Sequence, residues 1–171
     1  MDDQKNIACA ADLPYPPVAV DGRNPAYARA MLDNIGGSNS EMSAISLYIY
    51  NNLRSAHTPD IALTFHKVSI VEMRHLEIFG KLACMLGEDP RLWTQHGCKK
   101  AYWTPGYNQY PVHFPEMMQN VIASENAAIQ KYQYQASYIK DPNITALLSR
   151  IILDEQLHVQ IFEQLVQDHC R

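Results

Sequence analysis

Two segments of this chain share one residue pattern and decide its fold. They read Glu72-Met73-Arg74-His75-Leu76-Glu77-Ile78-Phe79-Gly80-Lys81-Leu82 and Glu155-Gln156-Leu157-His158-Val159-Gln160-Ile161-Phe162-Glu163-Gln164-Leu165. Glutamate, histidine, isoleucine, phenylalanine and leucine recur at the same offsets in both. Residues three apart lie on one face of a helix. Each segment therefore predicts a helix with a Glu-x-x-His pair on one side.

A second pair of segments precedes the first pair and is also repeated. Each member has glutamate, alanine, isoleucine and two tyrosines at the same spacing, which are Glu41, Ala44, Ile45, Tyr48 and Tyr50 in one and Glu125, Ala128, Ile129, Tyr132 and Tyr134 in the other. Glu41 precedes Glu72 by 31 residues, and Glu125 precedes Glu155 by 30. The chain therefore predicts two similar helical hairpins related by a pseudo-twofold axis.

Turn and capping signals divide the chain into an arm and four helices. Residues 1–24 contain Leu13-Pro14-Tyr15-Pro16-Pro17 and predict an extended N-terminal arm, and residues 25–170 predict the helical domain. The predicted helices cover about 25–56, 60–86, 115–140 and 142–169, with Gly36-Gly37 as a weak point in the first. The long connection at 88–114 separates two hairpins with short turns. This pattern predicts an all-α, antiparallel four-helix bundle with a long crossover between its second and third helices.

The repeated glutamates and histidines lie among apolar residues of the predicted helices. A buried, unpaired ion costs roughly several kcal/mol, so four carboxylates in one core need compensation. Two divalent cations would neutralise them, and oxygen-rich sites with one imidazole per metal suit iron and manganese. We therefore predict two Fe or two Mn ions, as in known di-iron and di-manganese bundles. The predicted ligands are Glu41, Glu72, His75, Glu125, Glu155 and His158.

The alternative is a bundle whose glutamates and histidines face solvent as i,i+3 pairs. The apolar neighbours and the repeat argue against it. Three further residues have two interpretations each. Asp154 is either a hydrogen-bond acceptor for the outer nitrogen of His75 or a surface aspartate, and the matching position in the second helix is Val71. Tyr48 and Tyr132 are either hydrogen-bond donors to the carboxylates across the bundle or half-buried core tyrosines.

The remaining histidines lack partners at ligand spacing and are predicted at the surface or in loops: His57, His66, His96, His113 and His169. Met117, Met118 and the aromatic crossover are predicted to serve packing or subunit contacts, with a lid over the metal entrance as the alternative.

Composition excludes several other classes of protein. A net charge of −4 gives no basic surface for nucleic acid. No apolar run approaches the roughly 18 residues of a membrane span, and the acidic start of the chain is not typical of a secretory signal. Cys9, Cys84, Cys98 and Cys170 form no Cys-x-x-Cys pair, which argues against a zinc ribbon or a rubredoxin-type site. Reduced thiols in a cytoplasmic protein are the expectation.

These motifs resemble the ferritin-like superfamily over about residues 25–168, and most closely its rubrerythrin and manganese-catalase branches. The Leu-Pro-Tyr-Pro-Pro arm and Asn34-Ile-Gly-Gly37 are similar to the compact, spore-coat type of manganese catalase. The resemblance implies the same six ligands. It departs from rubrerythrin at Ala128, where that family has a further glutamate, and in the missing rubredoxin cysteines.

The resemblance implies a redox enzyme that acts on hydrogen peroxide or oxygen. Catalase-type chemistry needs no electron-transfer module, whereas peroxidase action requires an external electron donor. Ferroxidation with iron handling is one alternative, and a structural or coat-associated protein with an inherited metal site is another. A homodimer is the expected assembly, and a spore-coat location is implied by the resemblance only.

Overall fold

The computed structural model describes residues 8–96 and 99–169. Within these residues the helices are α1 (Pro25–Gly36), α2 (Glu41–Arg54), α3 (Pro59–Leu86), α4 (Phe114–Tyr138) and α5 (Pro142–His169). An antiparallel hairpin of β1 (Trp93–His96) and β2 (Lys99–Tyr102), followed by a 3₁₀ turn at Pro105–Tyr107, lies between α3 and α4. α2 packs along α3, and α4 packs along α5. The predicted ferritin-like bundle of two hairpins is confirmed.

The prediction of one continuous helix over residues 25–56 is wrong. α1 ends at Gly36, where a Cβ atom would lie 2.2 Å from the backbone nitrogen of Trp93. Only glycine permits the hairpin to approach this closely. Gly37 is extended, with ψ at 177°, and Ser40 starts α2 by accepting a hydrogen bond from the backbone N–H of Ser43 at 3.4 Å. The break places Glu41 in the first turn of α2.

Local capping explains the other helix ends. Asn24 caps α1 through its Oδ1 atom, which accepts from the N–H groups of Ala26 and Tyr27. Gly87 ends α3 in the left-handed conformation, with φ at 103°. Asp141 accepts from the N–H groups at the start of α5. These helix ends were predicted from the sequence, and the structure confirms them.

Two apolar clusters pack the bundle on either side of a polar layer. One contains Phe79, Tyr132 and Leu147, and the other contains Tyr48 and Phe162, each with further buried neighbours. Along α3, α4 and α5 the glutamates and histidines lie between the residues of the two clusters. The polar layer is therefore enclosed by apolar packing at both ends.

The crossover connects opposite ends of the bundle. α3 ends at Leu86 in one cluster, whereas α4 begins just before Met117 and Met118 in the other. Both methionines are buried, which confirms their predicted packing role. The crossover packs on the helices as well, because β1 contacts α1 and the indole N–H of Trp103 donates to Ser43 Oγ at 3.0 Å.

None of the described helices is long and apolar enough to cross a membrane. Cys9 is buried, Cys84 is exposed, and Cys98 and Cys170 lie outside the described residues. The reduced state of all four thiols stays a prediction.

Candidate metal centre

Six side chains from four helices converge in the polar layer. α2 contributes Glu41, α4 contributes Glu125, and α3 and α5 each contribute one Glu-x-x-His pair. None of the six residues is more than 3% exposed: Glu41, Glu72, His75, Glu125, Glu155 and His158. The structure thus brings together every ligand candidate of the sequence. Their role in binding metal stays a prediction.

The six residues form two overlapping groups. Glu41 and His75 belong to one group, Glu125 and His158 belong to the other, and Glu72 and Glu155 belong to both. Within each group, one ligand atom per residue lies within 4.8 Å of the others. The arrangement therefore has two terminal carboxylates and two shared carboxylates.

The shared carboxylates reach both histidines. Oε2 of Glu72 lies 3.0 Å from Nδ1 of His75, and Oε1 lies 2.9 Å from Nδ1 of His158. Oε1 of Glu155 lies 3.2 Å from Nδ1 of His75, and Oε2 of Glu155 lies 3.0 Å from Nδ1 of His158. Each carboxylate therefore presents one oxygen to each half of the site, which is the geometry of a bridging ligand.

The outer ring nitrogens show which tautomer each histidine adopts. Nε2 of His75 lies 3.0 Å from Oδ2 of Asp154, and Nε2 of His158 lies 2.9 Å from the carbonyl oxygen of Cys9. Both partners accept hydrogen bonds and do not donate them, so Nε2 carries the hydrogen in each ring. Nδ1 of each ring then faces the carboxylates, either with a proton or with a lone pair for a metal.

Two tyrosines tie the terminal glutamates to the opposite helix. The hydroxyl of Tyr48 on α2 donates to Glu125 on α4, and the hydroxyl of Tyr132 on α4 donates to Glu41 on α2. Both tyrosines are buried. The reciprocal bonds follow the pseudo-twofold repeat and fix one oxygen of each terminal carboxylate.

Burial and the neighbouring charges shift the pKa values of this cluster. Burial, together with the charge of Glu72, raises the pKa of Glu41 well above its usual value and that of Glu125 to about 8. Burial opposes a charge on His75 and His158, but the surrounding carboxylates outweigh it and raise the pKa of both rings. Burial also opposes a charge on Glu72, yet the two histidines hold its pKa below the usual value.

The residues fit a pair of divalent cations. Each Nδ1 carries at most one hydrogen and faces three carboxylate oxygens. Among the described residues, Oε1 of Glu72 accepts no hydrogen bond although it is buried and 2.9 Å from His158 Nδ1. The cluster thus has more converging hydrogen-bond acceptors than donors, which is the environment expected around a bound cation.

A cavity of about 290 Å³ leads to this cluster between α2 and α4. Exposed Ser38 and Gln109 stand at its outer end, and all four cluster glutamates line it. Ala128 also lines the cavity. Rubrerythrins are expected to have a further glutamate at this position, and the smaller alanine leaves that volume to the cavity. Tyr107, Asn108 and Gln109 bring the crossover to this opening.

The N-terminal arm contributes contacts that the sequence did not reveal. The hydroxyl of Tyr15 donates to Oδ2 of Asp154 at 2.5 Å and lies 3.2 Å from Nε2 of His75. Arg150, which is 3% exposed, donates to Oδ1 of Asp154 at 2.6 Å. Asp154 itself is fully buried at His75, so the surface alternative does not apply. The repeated helical spacing could not indicate Tyr15, because the arm has no periodic pattern.

The other predicted histidines lie away from the centre. His57, His66, His113 and His169 are exposed, as predicted, and the side chain of His96 lies outside the described residues. His169 pairs instead with Asp60 at 2.8 Å.

Fold and site together define the class of ferritin-like helical bundles with a carboxylate-rich, two-histidine centre. Within that class the chain belongs to the rubrerythrin family, whose model matches residues 37–166. The chain is also similar to two crystal structures of KatB, a manganese catalase from Anabaena, one of them from Anabaena PCC7120. In both matches the sequence identity is 22% and the TM-score is 0.82. The match to the PCC7120 structure covers 95% of this chain and 80% of the catalase chain. The other match covers 92% of this chain and 78% of the catalase chain. No curated protein matches the chain.

Proposed function

We propose that this protein is an oxidoreductase that uses a dinuclear manganese or iron centre to decompose hydrogen peroxide. The observation that carries the proposal is the pair of buried groups that share Glu72 and Glu155. Membership of the rubrerythrin family and the fold similarity to a manganese catalase support it.

Each residue has a defined part in the proposed centre. Glu41 and His75 would hold one ion, Glu125 and His158 would hold the other, and Glu72 and Glu155 would contribute to both. Two ions that change oxidation state would supply the electron transfer to and from peroxide. Tyr48 and Tyr132 orient the terminal carboxylates through their hydroxyl groups. The two apolar clusters keep bulk water away from both ends of the site.

The cavity suits a small, uncharged substrate. Among the described residues that line it, the cluster glutamates are the only charged side chains, and serine, asparagine, glutamine and alanine form most of the rest. Hydrogen peroxide is small, neutral and able to donate and accept hydrogen bonds. Dismutation of two molecules gives two water molecules and one O₂, so that no separate electron donor is required.

Oxygen release is the decisive measurement. Metal-free protein is loaded with Mn(II) or Fe(II), and the metal content per chain is measured before peroxide is added to an oxygen electrode. We expect two ions per chain and oxygen release with at least one metal. Glu155→Ala removes a shared carboxylate, so this variant should neither bind two ions per chain nor release oxygen.

Protein that binds two ions but releases no oxygen with either metal would refute catalase activity. Peroxide consumption that then depends on an added reductant would identify a peroxidase with an external donor. Oxygen consumption driven by Fe(II) would instead indicate a ferroxidase. Light scattering tests the proposed homodimer, and fractionation of the source cells tests the proposed cytoplasmic or coat location.

A further inference from the structure

The N-terminal arm covers the outward edges of both site histidines. At one end, the carbonyl oxygen of Cys9 lies 2.9 Å from Nε2 of His158. Six residues later, the hydroxyl oxygen of Tyr15 lies 3.2 Å from Nε2 of His75. One short segment therefore contacts both half-sites on the side opposite the carboxylates.

The repeat explains why an added segment is needed. His75 has the carboxylate of Asp154 as its outer partner from the neighbouring helix. The position that corresponds to Asp154 in α3 is Val71, which has no acceptor to offer His158. The carbonyl oxygen of Cys9 takes the place of that missing carboxylate. The arm therefore supplies the hydrogen-bond acceptor that α3 does not offer to His158.

Buried charged contacts hold the arm in this position. The guanidinium group of Arg150 donates to the carbonyl oxygens of Leu13 and Ala11 at 2.6 and 2.8 Å, and the N–H of Ala11 donates to Asp154 at 2.7 Å. The ring of Tyr15 lies between two guanidinium groups, with Arg74 at 4.4 Å and Arg150 at 4.2 Å from its centroid. The aromatic ring thus anchors the arm, and its hydroxyl group is directed at Asp154 and His75.

We propose that the arm is a positioning part of the metal centre, in which the Tyr15 hydroxyl and the Cys9 carbonyl fix the rings of His75 and His158. This inference rests on the proposed dinuclear centre. An outer acceptor keeps the hydrogen on Nε2, so the lone pair of Nδ1 points at the ion. The Tyr15 hydroxyl acts on one half-site only, because it contacts Asp154 and His75 and lies outside the group formed with His158.

Tyr15→Phe in the full chain tests this role, because it keeps the ring between the two arginines and removes only the hydroxyl. Tyr27→Phe is the matched control. It also removes a single hydroxyl, one that accepts from the backbone N–H of Lys140 far from the centre. Both variants and the wild type are titrated with Mn(II) against a competing chelator. Electron paramagnetic resonance separates free, single and paired ions, and thermal unfolding of the metal-free proteins shows that they are folded.

We expect one of the two ions to bind about tenfold more weakly, or worse, in Tyr15→Phe. The other ion should keep its wild-type affinity, so the signal of paired ions is lost before the signal of single ions. Tyr27→Phe should bind both ions as the wild type does. Unchanged affinities in Tyr15→Phe, or an equal loss for both ions, would overturn the proposal.

The readout does not depend on catalysis, so the two proposals fail in different ways. Wild-type protein that binds two ions without releasing oxygen refutes the activity, whereas the selective loss in Tyr15→Phe still supports the arm's role. A wild type that binds fewer than two ions would refute both.

Discussion

Replacing Glu125 with glutamine should stabilise the metal-free protein, although it removes a proposed ligand. The pKa of Glu125 is raised to about 8, chiefly by burial, from a usual value of 4.5. At pH 7 the folded protein therefore holds a proton that the unfolded chain has released. Stability is lost as the pH rises from 4.5 towards 8, at about 1.4 kcal/mol per pH unit. The loss at pH 7 is about 3 kcal/mol.

Glutamine avoids this loss because it has the shape of the protonated acid and never ionises. Its carbonyl oxygen can still accept the hydrogen bond from Tyr48. Urea unfolding of chelator-treated protein, followed by circular dichroism, measures the effect. The gain of Glu125→Gln should be near zero at pH 4.5 and about 3 kcal/mol at pH 7. Glu163→Gln, at an exposed position of α5, should show no such gain.

With excess Mn(II), the wild type should become more stable to unfolding than Glu125→Gln. Only the wild type has all six proposed ligands, and an ion that binds the folded state stabilises it. If metal-free Glu125→Gln were no more stable than the wild type at pH 7, the assignment of a buried, protonated carboxyl group would be wrong.

Three other predictions, each with a paired comparison variant, test separate parts of the structure. Glu72→Ala should abolish binding of both ions in elemental analysis, whereas Glu41→Ala should leave one; equal losses would contradict the shared role of Glu72. Ala127→Leu narrows the cavity and should lower kcat/KM for peroxide severalfold at unchanged metal content, while Ala127→Ser should not. Gly36→Ala should cost roughly 1–3 kcal/mol in thermal unfolding because its Cβ meets hairpin backbone. Gly22→Ala, with no atom within 4 Å of its Cβ, should be neutral.

The features that could be predicted from the sequence are those that depend on local residue spacing and on the internal repeat. The i,i+3 pairs place Glu72 with His75 on one face, and the repeat doubles that signal. Together with the turn signals and the long crossover, this pattern predicts the bundle and the clustering of the six side chains. Tyr48 and Tyr132 belong to the same repeat. Their hydroxyl groups do reach the opposite carboxylates.

The features that were missed depend on contacts between distant parts of the chain. The end of α1 at Gly36 results from the approach of Trp93, which no helix propensity encodes. No pattern in the sequence indicates that Arg150 is buried, because an isolated arginine on a helix is usually exposed. The acceptor for His158 is a backbone carbonyl of residue 9, which has no signature in the sequence at all.

The route of the arm also sets an order of assembly. Ala11 and Cys9 meet their partners Asp154 and His158 across 143 and 149 residues of chain. During synthesis on the ribosome the arm emerges before the helices, whereas α5, which holds both partners, emerges only after α1 to α4. The hairpin of α2 and α3 can form long before that point, since its contacts are close in sequence. The arm can therefore dock only after α5 has emerged, so the outer edges of the two histidines are covered later than the α2–α3 hairpin can form.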